Sequence, residues 1–308
     1  MVIASALLAA LALALAWPIP IALSRAAWPS RAPAVALFAW QAIALSGALS
    51  MIGALVTFGV SGIAASVPSG IRMLLASAGS GSVPEGLGLV HFFALSCAVL
   101  FAGHLFLSMI TTFVKTERER RRQHDLVALL SAPEPRVPGA RVMEYPAPVA
   151  YCLPGAFRTA TVLTDGLVKV LSPEELGAVV AHERAHLTQQ HHLLLLSFTA
   201  WRKAIPWFPI ATRTRAAVGL LVEMLADDTA RVEVAAEPLV SAIVTVATAG
   251  GEASAPDIGV ADSTPESAAP RVSRLLAPPH PLPGAVTAAI LVLSAIVVCV
   301  PPVLLFAA

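Results

Sequence analysis

Four stretches of nearly unbroken apolar residues, near 2–23, 34–60, 87–114 and 285–306, dominate the pattern along the chain. Each is long enough to cross a bilayer, which takes about 20 residues of helix. Between the third and fourth stretches apolar and polar positions mix, as in a folded domain bathed by water. Residues 158–164 alternate like a short strand, bounded by Pro154-Gly155 and by Asp165-Gly166. Ser172-Pro173-Glu174-Glu175 then opens a helix, with serine at the N-cap, proline at the first helical position and glutamate at the third. Leu176, Val179, Val180, Ala181 and Ala185 keep one side of it apolar. No glycine or proline interrupts the run between His182 and His192, so the helix is expected to continue into Leu193–Leu196. A second helix is expected over about 212–235. The small, polar, proline-bearing stretch that follows reads as a flexible linker over 249–284.

Composition points the same way. Of 308 residues, 57% are hydrophobic and only 13% charged, against about 25% charged in an ordinary soluble domain. The fold class expected is therefore mainly α. It is a polytopic membrane protein with three helices over 1–114, a water-exposed domain with a small β-sheet over 115–248, the linker, and a fourth helix over 285–308. The first span has no basic residue ahead of its apolar run, so it reads as a retained helix and not as a cleaved signal. A net charge of +1 gives no electrostatic footprint for nucleic acid. The three cysteines, Cys97, Cys152 and Cys299, are widely spaced, with no CxxC pair and no framework for disulfides or a thiolate zinc site.

Charge asymmetry orients the spans. Arg25 and Arg31 follow the first span, and Lys115-Thr116-Glu117-Arg118-Glu119-Arg120-Arg121-Arg122 follows the third. The connection between spans two and three holds only Arg72 against Glu85. Positive-inside counting places both termini outside and residues 115–284 in the cytoplasm. The basic run itself reads as a topology determinant resting on anionic headgroups.

The chemistry concentrates in His182-Glu183-Arg184-Ala185-His186. Four residues apart on a helix, the two imidazoles share a face and can reach one ion at about 2.0–2.1 Å. Glu183 lies beside them and can approach a water held at the ion without ligating it. A catalytic zinc needs a third protein ligand, and two residues compete. Glu223, in Glu223-Met224-Leu225-Ala226-Asp227-Asp228, sits among apolar neighbours on the second helix, with Asp227 one turn on and placed to orient a histidine. His192 occupies the position of a third histidine in a longer HExxHxxGxxH pattern. With Gln189 where that pattern has glycine, a continuous helix would carry it too far from His182, so Glu223 is preferred. His104, deep in the third span, is either functional or bonded to a neighbouring helix. Cys152 reads as a plain buried thiol.

These residues resemble the BlaR/MecR-type membrane zinc peptidases, the antirepressor family of beta-lactam signalling. The likeness runs from about Leu153 to Asp228, through Leu-Pro-Gly, Thr-Asp-Gly-Leu-Val, Leu-Ser-Pro-Glu-Glu-Leu, His-Glu-Arg-Ala-His-Leu and Glu-Met-Leu-Ala-Asp-Asp. It implies a gluzincin-like domain with one Zn2+ per chain held by His182, His186 and Glu223, Glu183 as catalytic base and Asp227 orienting a ligand. The activity implied is a metalloendopeptidase cutting a cytosolic or membrane-proximal protein, a BlaI/MecI-like repressor being one candidate. The chain is expected to lack the penicillin-binding sensor of those relatives, since nothing follows its fourth span. HtpX/Ste24-type quality-control peptidases share the same residue logic and rank second. A non-catalytic signalling protein of the same fold ranks third, and a transporter last. The strand near Thr159–Leu163 is the expected docking edge for an extended substrate.

Overall fold

The computed structural model describes residues 1–135, 137, 139–153, 159–204, 209–249 and 265–307. The chain divides into two compact units, one of residues 1–109, 200–214 and 282–308, the other of 110–199 and 215–281.

The first unit is helical: α1 (Val2–Ala16), α2 (Pro18–Arg25), α3 (Pro33–Val60), α4 (Val67–Ser80), the start of α5 (Leu89–Leu130), and, at its end, α12 (Gly284–Ala307). α1 and α2 form one apolar run broken at Trp17, because Pro18 has no amide hydrogen to continue the ladder. Among the described residues, that run, α3, α5 and α12 are the four helices long and apolar enough to cross a membrane. Small residues let α3 approach its neighbours: Ala36, Ala39, Ala42, Ser46, Ser50, Gly53 and Ala54 are buried along it. A Cβ on Gly59 would lie 2.5 Å from Leu95 of α5, so only glycine admits that contact. Ser5 Oγ donates to Ala54 O (2.9 Å) and Ser46 Oγ to Val297 O (2.6 Å), the kind of polar join that helices use where apolar surfaces alone give no preference. His104 belongs to this class. Its Nε2 donates to the carbonyl of Ala204 (2.9 Å), and Ser108 Oγ donates to that of Ala200 (2.9 Å). These bonds satisfy the last turn of α8 (His191–Ala204), so His104 takes the structural of its two expected roles.

α5 runs 42 residues, well past the expected end of the third span at 114. Residues 115–130 contain no glycine or proline, and Lys115–Glu119 and Glu117–Arg121 pair one turn apart, which favours continued helix.

The second unit is built on a four-stranded sheet: β1 (Ser131–Pro133), β2 (Ala140–Met143), β3 (Ala150–Leu153) and β4 (Ala160–Thr164), in the order β1-β2-β4-β3. β2 and β4 are parallel and the other pairs antiparallel. The expected strand at 158–164 is thus β4. Pairing on both sides leaves it no free edge, which overturns its assignment as the docking strand; the neighbouring edge belongs to β3. The Pro154-Gly155 pair lies outside the described residues.

After β4 come α6 (Asp165–Val170), α7 (Pro173–Thr188), α8, α9 (Pro209–Ala230), α10 (Ala236–Ala249) and α11 (Pro265–Leu276). Leu163, Leu167, Leu171, Leu176, Val180 and Ala242 form one core cluster; Ala178, Ala181, Ala230, Leu239 and Leu275 form another. α7 is therefore gripped on both flanks. α11 falls within the stretch expected to be a flexible linker, of which 250–264 lie outside the described residues. Its helical form is selected by tertiary contact: Arg271 and Leu275, one turn apart, are both buried.

Candidate metal centre

α7 starts as expected. Ser172 Oγ accepts from the Glu175 amide (3.3 Å), and Glu175 Oε2 accepts from the Ser172 amide (2.8 Å), a reciprocal cap worth about 1 kcal/mol. It does not continue through His192. The helix ends at Thr188, and Gln190 adopts a left-handed φ of +50°. The chain turns there and re-enters helix at His191. Nothing local announces this break, since glutamine carries no signal for positive φ. Its result is that His191 folds back on α7: its Nδ1 lies 2.9 Å from Nδ1 of His186, with the rings edge to face. The side chain of His192 lies outside the described residues.

α9 brings Glu223 to the two histidines of α7. His182 Nε2 is 3.2 Å from Glu223 Oε2 and 3.1 Å from His186 Nε2, while His186 Nε2 is 3.4 Å from Glu223 Oε1. Three ligand atoms placed tetrahedrally around an ion at about 2.0–2.1 Å would be about 3.3 Å apart. The two imidazole nitrogens stand at that spacing, each faces a different oxygen of Glu223, and one atom from each of the three residues lies within 4.8 Å of the others; these residues form the group of histidine and acidic side chains among the described residues that could hold a metal. The far nitrogen of His182, Nδ1, is 2.9 Å from Asp227 Oδ1, so the ring is fixed with Nε2 turned towards Glu223.

The electrostatics suit a cation. Burial opposes charge on His182, yet Asp227 and Glu223 override it and raise its proton affinity to about 9. Burial holds His186 down to about 3, with His182, His191 and Arg271 adding to the effect. His186 is thus neutral, the form in which imidazole ligates. Burial would raise Glu223 and Asp227, but His182 and Arg271 hold both at about 2. Two ionised carboxylates face two cations, Arg271 and the protonated His182, so a bound metal ion would take the place of the His182 proton. Glu183 differs: loss of water around its carboxylate, and then the charge of Glu223, push it up to about 7, and it accepts a hydrogen bond from the Cys152 amide of β3. A carboxylate near neutrality is suited to taking and returning a proton.

Two arginines escaped the sequence reading. Arg271, 6% exposed, donates from Nε and Nη2 to Asp227 (2.8 and 2.7 Å), and its Nη1 is 2.9 Å from Glu223. Arg274, one turn on, grips Asp228 (2.5 and 2.8 Å). The available signal was the match of adjacent acids on α9 to two arginines three residues apart in an otherwise lightly charged stretch. His191, expected from the sequence to be interfacial or hydrogen-bonded, is bonded to His186. Cys152, half-buried, has its thiol pushed up to about 12 by burial and by Glu183, with Sγ 3.3 Å from Thr161 Oγ1, so it stays a thiol.

A helix bearing two histidines and a glutamate, facing an acid from a second helix, defines a metallopeptidase-like centre, here in a chain with four helices able to span a membrane. Comparison with known proteins agrees: residues 114–255 match the family model described as Peptidase family M48, a segment that holds every residue of the centre except Arg271. Over 123 residues the chain is 32% identical to the Protease HtpX homolog of Persephonella marina (strain DSM 14350 / EX-H1), covering 35% of this chain and 40% of that protein. The chain therefore spans about two fifths of the length of that curated relative. No solved structure matches. These likenesses support a membrane metallopeptidase.

Proposed function

We propose that this chain is a membrane-embedded zinc metalloendopeptidase, with His182, His186 and Glu223 as the metal ligands and Glu183 as general base. The observation that carries the reading is the convergence of His182, His186 and Glu223, with one ligand atom from each within 4.8 Å of the others, beside Glu183. A bound zinc lowers the pKa of water towards about 7 and polarises a scissile carbonyl. Glu183 takes the proton of the attacking water and passes it to the leaving amine. Asp227 keeps His182 in the ligating tautomer, and Arg271 neutralises the charge that Asp227 brings into the buried site. The outer edge of β3, unpaired in the sheet, offers backbone groups to an extended substrate, and the Cys152 amide ties that strand to Glu183.

The peptidase unit is proposed to face the cytoplasm, on the strength of Arg25, Arg31 and the basic run at 115–122. Its substrate is a cytosolic or membrane-proximal protein. The likeness to an HtpX homolog favours an HtpX-like membrane protease; a winged-helix repressor is the substrate class suggested by the BlaR/MecR resemblance. Glu183→Gln tests the chemistry: zinc content should be unchanged and cleavage lost. Comparative proteomics of cells carrying either form should reveal a protein cut only with Glu183 in place. Wild-type cleavage rates in the Gln variant would remove Glu183 as the base.

A further inference from the structure

The last residues of α8 belong with the spanning helices: residues 200–214 fall in the first compact unit and not with the sheet. Their depth is set by α5. His104 stands eleven residues ahead of Lys115, the first charge after the apolar run. At 1.5 Å per residue that is about 16 Å of helix, about half of a hydrocarbon core roughly 30 Å thick. Beside it Phe106 and Leu107 are 69% and 59% exposed, as on a face turned to lipid. The Ala204 carbonyl lies 2.9 Å from His104 Nε2 and the Ala200 carbonyl 2.9 Å from Ser108 Oγ, so each shares the depth of its partner. Ala200 pairs with the residue nearer Lys115, so α8 enters from that side, antiparallel to α5. We propose that the C-terminal end of α8 is immersed in the leaflet that ends at Lys115, with Arg202 and Lys203 anchored on phospholipid phosphates. The inference stands apart from the peptidase reading.

A helix end leaves its last carbonyls without a partner in the helix. In water the solvent supplies one; in hydrocarbon the protein must. Ala204 carries such a carbonyl, and a side chain of a spanning helix takes the solvent's place. The need is mutual, since an imidazole at that depth also requires a partner. The charges beside Ala204 fit the same position. Lys203 is exposed, and Arg202 Nε is buried with no hydrogen-bond partner among the described residues. Such side chains lay their stems along hydrocarbon and carry their heads out to the headgroups, where phosphate oxygens match the fork of a guanidinium. From Gln189 to Val222 the chain holds four basic residues and no acidic one, so the charge of this stretch complements an anionic surface. In chain order the immersed segment stands between His186 and Glu223, which makes the bilayer a partner of the loop that closes the ligand set.

The test is the depth of position 203 in the full chain, reconstituted in vesicles of phosphatidylcholine and phosphatidylglycerol. With Cys97, Cys152 and Cys299 changed to serine, a nitroxide on Lys203→Cys should be reached by dissolved oxygen more readily than by a water-soluble nickel chelate. A nitroxide on Leu107→Cys should behave in the same way. One on Val232→Cys, 86% exposed in the second unit, should show the reverse. The unaltered chain gives a second reading: a phospholipid with a diazirine midway along its acyl chain should label residues 201–203 and leave 231–234 untouched. Arg202→Gln together with Lys203→Gln should weaken binding of a fluorescent phosphatidylglycerol to the detergent-solubilised chain by about fivefold or more. A label at 203 reached like that at 232, or photolabelling of 201–203 no greater than of 231–234, overturns the immersion and the anchor with it. Unchanged lipid binding by the double variant overturns the phosphate anchor.

Discussion

Arg271 holds the carboxylate of Asp227 in a two-pronged grip, Nε to Oδ2 at 2.8 Å and Nη2 to Oδ1 at 2.7 Å. Both residues are buried, and Arg271 Nη1 also lies 2.9 Å from Glu223. Removing one partner from such a pair strands the other charge away from water. Arg271→Met should therefore destabilise the second unit by about 3–5 kcal/mol. Arg271→Lys should not restore it, because an ammonium cannot reproduce the fork. Urea unfolding with a chelator present measures both. The pH dependence has a defined sign. Asp227 and Glu223 are held at about 2, below the ordinary carboxyl value near 4. Their contribution is complete above about pH 4 and is lost as pH falls towards 2. The Met variant should show a much weaker acid limb.

The contact between His191 and His186 predicts an effect on metal affinity. Two imidazole nitrogens 2.9 Å apart must be one donor and one acceptor. When His186 ligates through Nε2, its Nδ1 carries the proton and His191 accepts it. His191→Leu should weaken zinc binding by about 10- to 100-fold, the usual cost of losing such an orienting partner. His191→Asn, whose amide oxygen falls near the place of Nδ1, should stay within a few-fold of wild type. Competition against a chromophoric chelator reads the difference, and a Leu variant with unchanged affinity would rule the role out.

Gln190 stands at φ +50°, where an L side chain costs about 1–2 kcal/mol. Gln190→Gly should raise stability by about 1 kcal/mol while keeping the turn. Gln190→Val, branched at Cβ, should lower it and also weaken metal binding by displacing His191. Thermal unfolding alongside zinc titration separates the two effects.

Gly166 sits where a methyl group would come within 2.1 Å of the Pro146 carbonyl oxygen. The loop it touches is tied down from both sides: Tyr145 N donates to Asp165 Oδ1 (2.7 Å) and Val149 N to Thr164 Oγ1 (2.9 Å). The backbone cannot move aside without breaking those bonds. Gly166→Ala should cost at least about 1–3 kcal/mol, the range for overpacking, visible as a lower melting temperature.

What the sequence made legible was local. The cap of α7 needs only Ser172, Pro173 and Glu175, and the four apolar runs need only length. The imidazole pair follows from helical spacing. The pairing partners of β4 were beyond reach, because strand order depends on contacts between distant segments. The turn at Gln190 was hidden for another reason: glutamine is an ordinary helix former, and the positive φ is imposed by what His191 finds against His186. Arg271 was the largest omission. In isolation Pro265–Leu276 has two prolines and weak helical character, and its fold is decided by acids some forty residues earlier. Glu223 was preferred to His192 on the assumption of a helix that in fact breaks. The side chains that meet are nonetheless His182, His186 and Glu223.

The dispersed origin of the centre has a consequence for synthesis. A nascent chain that has emerged as far as Ala230 already carries His182, Glu183, His186 and Glu223, yet Asp227 and Glu223 have only His182 as a counter-charge until Arg271 appears. Closing that long loop is entropically slow to pay back, and until it closes the two acids repel each other inside a half-built core. The charges of the centre are thus matched only once α11 has been made, after every candidate ligand is already in place.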